Sequence, residues 1–75
     1  MHIINIFKDI NGKIIDTYDS DIQIVFNVGN KVELNKNNVI NKYEVIDICI
    51  SMSRSKYSSV LTQTITCKES VNYDC

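Results

Sequence analysis

The chain has 75 residues, a formal net charge of −1, 44% apolar and 23% charged residues, no Ala, Pro or Trp, and one Arg. That length holds one domain with a small core, and the apolar fraction is too high for a disordered chain. The near-neutral balance removes any general electrostatic pull toward nucleic acid or an anionic membrane, and no apolar run approaches the roughly 18–20 residues of a membrane-spanning helix.

Abundant Ile, Asn and Lys with no Ala or Pro is the composition expected from AT-rich coding DNA. It points to a low-GC bacterium or one of its phages. Independently, many Ile, Val, Thr and Tyr favour strands over helices.

Six strands are expected, at about 2–8, 13–18, 22–28, 31–35, 43–52 and 60–68. In the first, Ile4 and Ile6 share one face, and Ile3 and Phe7 the other. Asn11-Gly12 then predicts a type I′ hairpin, because both residues accept positive φ. After the break at Asp19-Ser20-Asp21, Ile22, Ile24, Phe26 and Val28 alternate with Gln23, Val25 and Asn27, the period-two pattern of a strand with one apolar face. Gly29-Asn30 marks a turn, Val32 and Leu34 alternate with polar neighbours, and residues 35–38 are turn-like.

The long strand at 43–52 carries apolar side chains on both faces near its middle. A bulge near Asp47 that switches faces is preferred over burial on both sides, for which the chain is too small. In the last strand Leu61, Ile65 and Cys67 share a face interrupted by Gln63, and Thr62, Thr64 and Thr66 take the other. The expected core is Ile4, Ile6, Ile15, Ile24, Phe26, Val32, Leu34, Val45, Ile48, Ile50, Leu61 and Ile65. Residues 1–68 read as a single β domain and 69–75 as a polar tail.

Val28-Gly29-Asn30-Lys31-Val32-Glu33-Leu34, followed by Tyr43-Glu44-Val45, resembles the opening hairpin of SH3-like small barrels, with Asn30 in place of the usual acidic residue. The same stretch looks like segments of short phage proteins from low-GC hosts. The resemblance covers about a third of the chain and implies a fold: an all-β, five- to six-stranded antiparallel curled sheet or SH3-like barrel. SH3-like barrels bind proteins, nucleic acids and small ligands, so this fold does not select a function.

Chemistry is sparse. His2 is the sole histidine, the three cysteines (Cys49, Cys67, Cys75) lack paired zinc-ligand spacing, and two isolated glycines cannot form a phosphate loop. No catalytic set, metal site or cofactor is expected. Cys49, inside an apolar strand, reads as a small core residue, and a Cys67–Cys75 disulfide is disfavoured in a cytoplasmic chain with reduced thiols.

Two surface groups remain. Residues 51–59 join two strands with more chain than a tight hairpin needs; they hold Ser53, Arg54, Lys56 and Tyr57, able to meet phosphate, carboxylate or an aromatic face. Asp16, Asp19 and Asp21 form an acidic edge, read as a solvated turn rather than a metal site. Elimination leaves a non-enzymatic protein-binding module, an inhibitor of a host (defence) protein encoded by a phage or mobile element. The alternatives are a small barrel that binds or sequesters a nucleotide or RNA, and a homo-oligomer built through strand edges.

Overall fold

A computed structural model describes residues 2–70. These form five strands and no helix: β1 (His2–Lys8), β2 (Ile14–Ser20), β3 (Lys31–Lys36), β4 (Val39–Arg54) and β5 (Ser59–Glu69). They make one curled sheet in the order β2-β1-β5-β4-β3. The sheet is all-β and half-barrel-like, as the residue pattern implies, and it remains open between its edge strands β2 and β3. Three of its pairings are antiparallel; β1 and β5 run parallel, with Ile3 beside Leu61 and Phe7 beside Ile65.

The turns follow from the few residues that accept positive φ. In the first hairpin only Gly12 does so (φ 85°). Asp9 organises the turn instead: its Oδ1 accepts the Asn11 and Lys13 N–H groups, and its carbonyl accepts the Gly12 N–H. The expected two-residue type I′ turn is therefore replaced by a longer one with glycine at the left-handed position, and the β1–β2 register shifts between Phe7 and Lys8. The pair of positive φ values that type I′ demands occurs at Asn37 (54°) and Asn38 (66°), closing β3 onto β4.

The expected bulge is present. Val45 faces Cys67, the next paired residue is Asp47 opposite Thr66, and Ile46 is the extra residue. Inward positions shift from odd to even numbers there, so Val45 and Ile48 both face the core while Cys49 turns outward. Cys49 is accordingly exposed, against the expectation of a core cysteine; Cys67 is the buried thiol.

The inner face collects Phe7, Tyr43, Val45, Ile65 and Cys67, with Ile15, Phe26, Val32, Leu34 and Ile48 packed against them. Three expected core members, Val45, Leu61 and Ile65, are fully or nearly fully buried. Four others need correction. Ile4 and Ile6 lie half-buried on the outer face, because Ile3, Asn5 and Phe7 are the inward residues of β1. Ile24 and Ile50 are exposed.

The expected strand at 22–28 does not form. Residues 21–30 run as an irregular strap without ladder pairing. Phe26 alone makes an aromatic anchor, meeting Phe7 edge-on at 5.7 Å between ring centres, while Ile22, Val25 and Val28 stay exposed. Side chains hold the first half of the strap: Gln63 Nε2 donates to the Ile24 carbonyl (3.0 Å) and to Asn5 Oδ1 (2.8 Å). Asn5 Nδ2 in turn donates to the Tyr18 carbonyl and to Ser20 Oγ, whose hydroxyl donates to the Ile22 carbonyl. Asn5 and Gln63 are buried polar residues, and every buried side-chain N or O among the described residues has a partner.

Candidate functional site

The segment carrying Ser53, Arg54, Lys56 and Tyr57 is not a long loop. β4 continues through Arg54, which faces Ser59, the first residue of β5. Only four residues turn the chain. Ser55 N–H donates to the Ser58 carbonyl (2.8 Å), and the two serine hydroxyls lie 3.1 Å apart. The Ser-rich composition that signals a flexible loop instead supplies the local hydrogen bonds of a tight turn.

The consequence is a defined tip. Lys56 and Tyr57 occupy its apex; Tyr57 is 89% exposed, and the Lys56 ammonium lies 5.7 Å from its ring centre. Arg54 and Ser53 stand at the exposed end of β4. Arg54 lies on the inner-face row with Ile50 and Met52, and Ser53 on the outer face. All four candidate residues thus cluster at one end of the molecule.

The acidic residues do not converge. Asp16 pairs with Phe7 and Asp19 with Ile4, which places them on opposite faces of β2. Asp16 accepts the Thr17 N–H, and Asp19 lies 3.5 Å from His2 Nε2. Asp19 and Asp21 line a shallow groove with His2, Tyr18 and Ile22. Among the described residues no group of three or more His, Cys, Asp or Glu is arranged to hold a metal ion.

A second concavity was not signalled by any local motif. It is a cleft of about 610 Å³ at the open mouth of the half-barrel, between the β1–β2 turn and the ends of β3 and β5. Lys13 and Lys36 line it with Asp9 and Glu69, above a floor that includes Tyr43 and Cys67; Lys68 borders it but turns its ammonium to Glu44 on the outer face. Burial raises the Tyr43 phenol above its ordinary pKa, and the nearby Glu69, Cys67 and Asp9 add to the shift. The residues meet only through the pairing of distant strands, which explains why the linear sequence conceals them. On the outer face near this end, Lys31 donates to Glu44 at 2.9 Å and, with Lys68, holds that carboxyl below its usual range.

The cysteines differ in chemistry. Burial pushes the Cys67 thiol up, which suppresses the reactive thiolate, whereas Cys49 is exposed. Alkylation of the folded protein at pH 8 is expected to label Cys49 first, with Cys67 protected until denaturant is added. Peptide mass spectrometry checks this order; equal labelling of both would contradict the packing. Cys75 and Tyr73 lie outside the described residues, so the structure does not address a Cys67–Cys75 pairing.

Among the described residues no helix is long and apolar enough to cross a membrane. No family model, curated protein or solved structure matches this chain.

Proposed function

We propose that the protein is a non-enzymatic protein-binding module whose contact surface is the β4–β5 hairpin tip. One observation carries this reading: Tyr57 is held almost entirely in water on a hydrogen-bonded turn, with Lys56 by its ring and Arg54 at the strand end that leads into the turn. A large amphipathic ring on a rigid turn loses little conformational entropy on binding, and Tyr and Arg are the side chains most enriched at interface hot spots. The AT-rich character of the composition supports a phage or mobile-element origin, with a host protein, a defence enzyme among them, as the target to be inhibited.

The test is capture from a low-GC host lysate on immobilised protein, followed by affinity measurement. A specific host protein is expected on the wild-type column. Truncating a hot-spot residue costs about 2 kcal/mol or more, roughly 30-fold in affinity, and Tyr57→Ala should show a loss of that size. No captured protein, or equal affinity for Tyr57→Ala, would refute the assignment.

A second reading, nucleotide or RNA binding, is favoured by Lys13 and Lys36 at the half-barrel mouth. Asp9 and Glu69 share that cleft and offset much of its positive charge, so it ranks below the first. A thermal shift with nucleotides or short RNA that Lys36→Ala removes, while Tyr57→Ala keeps it, would reverse the ranking.

A further inference from the structure

We propose that the open edge of β4 pairs antiparallel with the same edge of a second copy, giving a two-fold symmetric dimer with its axis at Ser51. β3 covers only the first part of β4, from Val39 to Glu44, and the Gly29-Asn30 turn covers Val45 through two backbone hydrogen bonds of 2.8 and 2.9 Å. Beyond that point β4 pairs with β5 on one side only. Among the described residues nothing pairs with its other side from Asp47 to Arg54. A strand edge of this kind presents unsatisfied N–H and C=O groups to any matching strand.

The bulge decides which residues present them. Val45 directs its N–H and C=O toward Asn30 and Gly29, away from β5. With Ile46 inserted, the outward-directed set becomes Ile48, Ile50, Met52 and Arg54, and the intervening residues bond to β5. The side chains of that outward set all lie on the inner face, and Ile50 and Met52 are each about half exposed there.

Symmetry and sterics then fix the register. A two-fold axis perpendicular to the sheet keeps both inner faces on one side and pairs even residues with even. The hairpin tip of the second copy must also stop short of Gly29-Asn30, which already occupies the position beside Val45. Centring the axis at Ser51 meets both conditions. It sets Ile50 against Met52 of the second copy, and Met52 against its Ile50, so the exposed apolar row closes on itself. Ile48 meets the stem of Arg54 from the second copy.

Charge selects the antiparallel sense. The tip carries Arg54 and Lys56, and the inner end of the open edge carries Asp47. Antiparallel pairing brings each positive tip to Asp47 of the other copy; parallel pairing would align like charges. Between Asp47 and Arg54 the edge has no Lys or Pro to repel a second strand. The contact is short and belongs to the small, reversible interface class. This inference does not rest on the binding role of Tyr57, since its backbone pairing runs through residues 48–54 of β4 and does not use the Tyr57 ring.

Sedimentation velocity over a range from about 1 µM to about 1 mM tests the dimer. A concentration-dependent monomer–dimer equilibrium is expected. Ile50→Lys, which places a charge in both apolar pairs, should weaken it at least tenfold with strand content unchanged by circular dichroism.

Register is tested separately with Ser51→Cys in a Cys49→Ser background. At a non-hydrogen-bonded antiparallel position the two Cα atoms lie about 4.5 Å apart, within disulfide range. Oxidised glutathione should then yield a covalent dimer linked 51 to 51 in the peptide map. A monomer at every concentration, a dimer indifferent to Ile50→Lys, or cross-links that exclude position 51 would overturn the proposal.

Discussion

Replacing Asn5 with alanine is expected to destabilise the protein by about 3 kcal/mol and lower its melting temperature by roughly 15 °C. Asn5 is completely buried and joins three groups: it accepts from Gln63 and donates to the Tyr18 carbonyl and to Ser20 Oγ. Truncation leaves the buried Gln63 amide without its acceptor and the part-buried Tyr18 carbonyl and Ser20 hydroxyl short of a donor, and a buried polar group without a partner costs about 1–3 kcal/mol. Total stability for a chain of this length is on the order of 4–11 kcal/mol, so the loss is a large fraction.

The companion result identifies the cause. Asn5→Leu and Gln63→Leu should each be severe alone, and the double variant should lose at least about 1 kcal/mol less than their sum, because removing both partners strands fewer groups. Hydrogen exchange should accelerate in residues 22–26 of each variant, since Gln63 and Ser20 hold the Ile24 and Ile22 carbonyls. Additive losses with unchanged exchange in the strap would show that the polar chain is not a unit.

Phe7→Ala is expected to be still more damaging, at about 3–5 kcal/mol, leaving much of the protein unfolded at 37 °C. Phe7 is a buried member of a core of only a few side chains, and its edge-on contact with Phe26 is the strap's aromatic link to the sheet. Phe26→Ala should cost less, because Phe26 is only half-buried. Urea unfolding followed by circular dichroism measures both. Near-equal losses would mean that the strap contributes to the core as much as the sheet does.

Strand identity was legible wherever apolar alternation coincided with ladder pairing, as in β1, β3 and β5. The bulge was legible too, because Val45 and Ile48 could not otherwise share one face in so thin a domain. Alternation misled at 22–28. It records an extended chain with one apolar side, but it carries no information on whether backbone groups find a sheet edge. On β1 it misled differently: Ile4 and Ile6 outweigh Asn5 on any hydropathy count, yet the row containing Asn5 faces inward, because Gln63 lies beside it on β5 and satisfies it.

The same limit applied to the surface. Serine richness at 51–59 implies a loop; that Arg54, Lys56 and Tyr57 stand instead at a tight turn depends on bonds between Ser55 and Ser58. Lys13 and Lys36 are far apart in sequence, and only the curl of the sheet gathers them at one cleft. Cys49 and Cys67 look alike in apolar surroundings, and the one inserted residue at Ile46 sends Cys49 outward while Cys67 stays in the core.

The central position of β5 has a temporal consequence. The β1–β2 hairpin and the β3–β4 hairpin share no strand pairing; each joins the sheet through β5, which lies between them and comes after both in the chain. On the ribosome the two hairpins emerge first, and each is of a size that is marginal in isolation. The cooperative sheet forms only once β5 has emerged, when Ile3 finds Leu61 across most of the chain's length. Folding is therefore expected to wait for β5 and, with so many sequence-distant pairings, to fall in the millisecond-to-second range rather than the microsecond one.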